Sequence, residues 1–199
     1  MDPLAVLVAA CPRTEVEGTW QRHVAARHAA HALHGRRSTG RWSTKDGYPV
    51  LYLGRPIDSV VVEAYRHLID PVEDERLRAH LEPRVLVTCT IAATGLLDLR
   101  EPSARLRLDL PLDILRSATS DRAAYLRCQT VARAAHHVGL NGILAPAATG
   151  MGETLALFTD IAPADQRPMR SAPDILWDQL PADPRHVPSR HLRVVETGP

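Results

Sequence analysis

Aromatic residues are scarce in this 199-residue chain, at 4%, with a single phenylalanine. Aliphatic packing must therefore fill the core, and each Trp or Tyr becomes conspicuous. An excess of charge is also missing. Lys+Arg 24 against Asp+Glu 23 leaves a formal net charge of +1, which argues against a general nucleic-acid or anionic-membrane binder, because those carry a strong basic excess. Three cysteines, Cys11, Cys89 and Cys128, are an odd number at wide spacing. They give neither a disulfide framework nor a zinc motif, and read as buried small hydrophobes in a reducing cytoplasm. No apolar run is long enough to span a membrane. The segment LAVLVAAC near the start lacks the positive flank of a signal peptide, and is expected to be a strand or a capping segment. With no GxSxG and no Walker loop, a nucleophile elbow and a nucleotide triphosphatase have nothing to rest on.

What remains is an ordinary globular composition, 45% apolar and 24% charged, at a length that fits one domain. Nearly all the cations are arginine, the side chain best shaped for bidentate phosphate recognition. Short strands are expected at Thr19–Val24 and Pro49–Leu53, a strong one at Arg84–Ile91, and another at Arg105–Leu110, where Leu alternates with Arg and Asp. Ala25–His34 reads as a helical turn or a loop. Ile57, Val60, Val61, Ala64 and Leu68 follow Pro56 with a 3.6-residue period and predict a helix. A second helix is capped by Ser120 or Asp121 and runs to His137, before Gly139. Two strands, Ile143–Ala145 and Thr154–Thr159, flank the glycine-rich loop ATGMG. This loop leads into a strand and not a helix, so it predicts a tight hairpin and not a dinucleotide-binding turn. Strands and helices mix without regular alternation, which gives an α+β class, a single domain with mixed and antiparallel strands and flanking helices. Residues 1–162 are expected to form the main body of the domain, the part that would carry any catalytic site. The Pro- and Arg-rich stretch 163–199, with a short amphipathic piece at Asp174–Leu180, is expected to lie on its surface.

His28, His31 and His34 recur every three residues, but no carboxylate or cysteine lies near them in sequence. Arg27, Arg36 and Arg37 would repel a cation, so a metal site is not expected. Glu63 falls at the margin of its helix's apolar stripe. Two readings follow: a carboxylate at a cleft edge, or a surface acid paired with Arg66 or His67 at helical spacing. Trp42 is expected to be core.

The ordered set WQRHV, GRW, G-x-P-x-L-Y-L, a helix carrying Glu63, then a Cys-Gln helix, NGILAPAA and TLALF resembles the RES-domain proteins, the toxin halves of bacterial RES–Xre toxin–antitoxin pairs. The resemblance covers roughly Thr19 to Phe158. It implies a fold like that of ADP-ribosyltransferase toxins and an activity that depletes NAD by hydrolysis or phosphorolysis. It also implies a cytoplasmic setting, an Xre-type antitoxin as partner, no direct nucleic-acid contact and no membrane. No cofactor is implied beyond NAD as substrate and inorganic phosphate as a candidate co-substrate; homo-oligomerisation stays open. The family pattern falls on Arg22 and Arg41 as the arginines, Glu63 as the helix carboxylate and Tyr52 as the strand tyrosine. Two positions depart from it. Ala147 stands where the family usually has Ser in a Pro-Ser-Ala turn, and His23 follows the early arginine where a family member has Tyr. A protein ADP-ribosyltransferase and a catalytically inactive nucleotide-binding relative are the competing readings.

Overall fold

A computed structural model describes residues 2–72 and 81–186. Its sheet is organised by two long antiparallel strands, β1 (Arg13–Ala25) and β3 (Arg84–Asp98), paired from Arg13↔Leu97 to Ala25↔Arg84 with an irregularity between Thr14 and Val16. Both are longer than the sequence predicts. The polar stretch before Thr19 and the small residues after Ile91 carry little strand preference of their own, and long-range pairing supplies what propensity does not. β3 then runs parallel to β4 (Gly142–Pro146), which forms a hairpin with β5 (Glu153–Phe158), and β5 pairs with β2 (Val50–Arg55). β2 returns to β1 through one register pair, Gln21↔Gly54. The five strands therefore close a ring.

Alternation along these strands builds two cores, as a period of two requires. Leu51, Leu53, Leu144, Leu155 and Leu157 meet Trp20 and Ile91 on one face. Val50, Ile143, Ala145, Ala156 and Phe158 meet the helices on the other. The helices on that side are α1 (Pro3–Ala9), α3 (Pro102–Arg107), α4 (Leu112–Arg116) and α5 (Arg122–His137). α2 (Ile57–Leu68) packs instead on β1 and β2, burying Ser59, Val60, Val61, Val62 and Ala64.

Two expectations are corrected here. The opening segment is helix α1 and not a strand, because the Asp2 carboxylate accepts the Leu4 N–H at 3.0 Å and Pro3 occupies the first turn. Residues 105–110 are not a strand either. Pro102 opens α3, Asp109 turns the chain with φ 51°, and Leu108 and Leu110 are buried by the turn. The Leu-Arg alternation there is a helix end followed by a turn.

α5 was legible from its ends. The Asp121 carboxylate accepts the Ala124 N–H at 3.0 Å, and Gly139 takes φ 76° beyond the helix. Asp121→Ala is expected to cost about 1 kcal/mol of stability, read as a lowered midpoint in urea with unchanged slope. The hairpin after β4 is also as expected, and its Gly152 sits at φ 69° with space for no Cβ, which would lie 2.0 Å from the Arg55 carbonyl.

Beyond residue 162 the chain adds strands to the sheet. β6 (Met169–Arg170) and β7 (Ile175–Trp177) both pair antiparallel with β3. Residues 187–199 of the expected surface extension lie outside the described residues. The three cysteines are free and buried. His28 and His31 belong to a 3-10 turn, Ala26–His31, and the described residues contain no group of three side chains able to hold a metal. Among them no helix is long and apolar enough to cross a membrane.

Candidate active site

β1 and β2 share a single register pair, so they part beside it and leave a cleft that α2 covers from one side. The cavity holds about 290 Å³. Its walls are Gln21, Arg22 and His23 of β1, Tyr52, Leu53 and Gly54 of β2, and Ser59, Val60, Glu63 and His67 of α2. Arg41 and Trp42 close another side with Ser38 and Thr39, while Tyr125 of α5, Pro146, Ala148 and Thr154 complete it. Glu63 is the one acid among these residues.

Of the two arginines that line the cavity, Arg22 has unspent capacity. Its Nη1 is buried and has no hydrogen-bond partner. Burial, reinforced by the charges of Arg36 and Arg84, pushes its guanidinium down to about 10. An unpartnered buried donor is costly, which makes it a ready seat for an anion. The neighbouring Gln21 Oε1 is likewise buried and unpartnered.

Arg41 is employed differently. Its guanidinium donates to the Ile114 carbonyl at 2.8 Å, to Ser117 Oγ at 3.0 Å and to the Ser117 carbonyl at 2.8 Å, and lies 4.5 Å from the centre of the Tyr125 ring. It ties the GRW segment to the chain before α5 while presenting its charge to the cavity. Tyr52 braces the same segment. The Trp42 N–H donates to its hydroxyl at 2.9 Å, and the Ser43 hydroxyl lies 3.0 Å away. A Cβ at position 40 would sit 2.6 Å from that hydroxyl, which is why glycine precedes the Arg-Trp pair. Burial pushes the Tyr52 phenol up to about 12 against these hydrogen bonds, so it stays protonated. Trp42 is core, 2% exposed, as expected.

His23 stacks on Trp177 at 6.3 Å, and Arg84 Nη2 lies 3.1 Å from its Nδ1. A guanidinium can only donate, so Nδ1 accepts and Nε2 carries the proton. Burial, followed by the charge of Arg84, drives its pKa down to about 3, and the ring is neutral at physiological pH.

Glu63 satisfies both of its sequence readings at once. Its carboxylate pairs along the helix with His67 Nε2 at 2.7 Å and Arg66 Nε at 3.7 Å, and it also lines the cavity, with the side chain 38% exposed. Burial alone would raise the carboxyl; the His67 hydrogen bond and the charges of His67, Arg66 and Arg41 outweigh that and hold it below its ordinary value. It is therefore ionised wherever the protein is folded at neutral pH.

Arg22, His23, Arg41, Tyr52 and Glu63 thus converge on one cavity. Ala147 does not join them. It is 1% exposed, and its N–H donates to the Gly152 carbonyl at 3.0 Å across the hairpin turn, so its neighbours Pro146 and Ala148 border the cleft. Sequence reasoning missed Gln21, Ser59 and Tyr125, and it read Arg66 only as a neighbour of Glu63 along the helix. Arg66 donates to the Ala148 carbonyl at 2.6 Å and the Ser117 carbonyl at 2.9 Å, joining α2 to two distant loops. Contacts 82 and 51 residues apart leave no periodic trace in a sequence.

The chain is similar to the NAD(+) phosphorylase MbcT of Mycobacterium tuberculosis and that of Mycobacterium bovis. Each is 27% identical over 152 residues, covering 74% of this chain and 77% of the relative. Among solved structures it is similar to the crystal structure of the M. tuberculosis MbcT–MbcA toxin–antitoxin complex, with a TM-score of 0.70 and 25% identity over 88% of this chain and 92% of that one. The description "RES domain" attaches to the family model that matches residues 19–178, four-fifths of the length, and this chain belongs to the RES domain family.

Proposed function

We propose that this protein is an NAD-degrading toxin that cleaves the nicotinamide–ribose bond, with phosphate as the favoured acceptor and water as the lesser one. The observation that carries the reading is the pairing, in one cavity, of a partnerless buried Arg22 donor with a lone ionised acid, Glu63. Nicotinamide leaves as a neutral base from a cationic ring, so the general acid of an ordinary glycosidase is dispensable and one carboxylate suffices. Glu63 stabilises the oxocarbenium-like transition state. Arg22, with the Arg41 charge beside it, holds the diphosphate. The Tyr52 ring and the His23 Nε2–H border the nicotinamide ribose and the acceptor. A volume of about 290 Å³ sits at the lower end of ligand pockets, roughly 300–1,000 Å³; it suits the nicotinamide–ribose half, with the adenosine toward the mouth.

The mycobacterial relatives are NAD(+) phosphorylases, which supports phosphorolysis. The toxin–antitoxin neighbour supports a protein antitoxin as partner, here of the Xre type, and a cytoplasmic setting where NAD is available. No cofactor is required beyond NAD and phosphate as substrates.

The test follows NAD in the purified protein with and without inorganic phosphate, and weighs the ribosyl product. Nicotinamide release that rises with phosphate and yields a phosphorylated ADP-ribose is the expected result. Free ADP-ribose at an unchanged rate makes water the acceptor. A mass increase on a protein target, with neither small product, moves the assignment to protein ADP-ribosylation.

A further inference from the structure

We propose that His23 is the residue that selects the acceptor: Arg84 holds its ring as an N–H donor with no lone pair for the cavity, which suits phosphate and denies an attacking water its base. This rests on the NAD-cleaving reading above. The ring is fixed on two sides. Arg84 Nη2 lies 3.1 Å from Nδ1, and the Trp177 ring stacks on it at 6.3 Å with 18° between the planes. Trp177 reaches this place because β7 pairs with β3 in the register Arg84↔Trp177, so a strand beyond residue 162 backs the site. A guanidinium donates and cannot accept; Nδ1 spends its lone pair on Arg84, and the proton sits on Nε2. Among the described residues the ring makes no other hydrogen bond, and it lines the cavity.

Arg84 does little else. Among the described residues its side chain makes one hydrogen bond, to His23, while its Nε is buried without a partner and the charge beside it is another cation, Arg27. A guanidinium so placed costs stability; what it supplies in return is the tautomer. The two acceptors ask different things of that ring. When an oxygen of hydrogen phosphate attacks the anomeric carbon, the carbon–nitrogen bond breaks and its electron pair leaves with nicotinamide. The proton of the phosphate stays on another of its oxygens, so no base is needed, and a fixed N–H meets the anion. Water attacking the same carbon carries positive charge on its oxygen until a base removes a proton. His23 has no lone pair free for that, and the Glu63 carboxylate is engaged by His67 and Arg66.

Two variants and one spectrum decide this. His23→Phe keeps a ring against Trp177 and removes the donor. Its KM for phosphate is expected to rise about tenfold, with KM for NAD within about threefold of the wild type. Arg84→Met frees the ring to offer Nε2 as an acceptor, so at limiting phosphate the share of free ADP-ribose among the products is expected to rise about threefold or more. A wild-type phosphate KM in His23→Phe, or a wild-type product ratio in Arg84→Met, overturns the proposal. An equal rise in both KM values of His23→Phe marks a damaged cavity and overturns it too. In the nitrogen NMR spectrum of the wild type the His23 ring is expected as the Nε2–H tautomer; an Nδ1–H ring or an imidazolium overturns the proposal. Should the wild type leave NAD intact, the reaction reading falls. Inorganic phosphate titrated by calorimetry into the wild type and His23→Phe then decides: about tenfold weaker binding in the variant supports the His23 donor, and equal binding overturns it.

Discussion

Glu63→Gln lowers kcat for NAD cleavage by about two to three orders of magnitude and leaves KM within about threefold. The estimate follows from Coulomb's law: a unit charge about 4 Å from a developing cation, at an effective dielectric near 20, contributes about 4 kcal/mol, and each 1.36 kcal/mol is about tenfold in rate. The substitution preserves size and leaves an amide able to meet Arg66 and His67 through its carbonyl or its donors. The change is therefore confined to charge. A loss in kcat without a loss in binding marks an interaction made in the transition state. Single-turnover nicotinamide release and ADP-ribose titration measure the two quantities separately. Wild-type turnover in Glu63→Gln would remove the carboxylate from the chemistry.

Arg22→Met has the second large effect, with opposite signs on function and stability. Turnover at low NAD is expected to fall about a hundredfold, since a charge-assisted, partly bidentate phosphate contact is lost. Stability is expected to rise. In the free protein Arg22 buries a donor with no partner and is repelled by Arg36 and Arg84, which together with burial depress its guanidinium to about 10. A group whose folded-state value is depressed in this way costs stability while charged, and that cost persists at every pH below about 10. Replacing buried ionic groups with well-packed apolar side chains of similar volume is often neutral or stabilising, by up to about 4 kcal/mol. Thermal melting and a kcat/KM measurement on the same preparation check both halves. A protein that is both less active and less stable would show Arg22 to be a structural strut and not a seat kept open for an anion.

Much of the architecture was readable because it is local. The α2 stripe, the Asp121 cap and Gly139 stop of α5, and the hairpin around ATGMG each depend on residues within a few positions of one another. Two local readings failed, each because a turn or cap signal outweighed the hydrophobic pattern. Residues 105–110 alternate like a strand, yet Pro102 and the left-handed Asp109 make them a helix end and a turn. The opening apolar stretch carries no decisive period, and its helix depends on the Asp2 cap and on burial of Ala5 and Val8. At the site, spacing along α2 correctly offered both a cleft-edge carboxylate and an i,i+4 pair with His67, but it had no means of choosing, and the fold adopts both.

By itself the sequence determined an α+β domain, the helix that carries Glu63, the strand that carries Arg22, and the likeness to RES toxins, because periodicity, caps and ordered motifs are written in neighbouring residues. Tertiary structure alone decided that β1 and β2 part after one register pair to open the cleft. It also left Arg22 Nη1 without a partner, committed Arg41 and Arg66 to backbone carbonyls far away in the chain, and buried Ala147 behind the turn. Those outcomes depend on how closed a ring of strands can be, and on which donors its closure leaves over, a balance that no run of adjacent residues encodes.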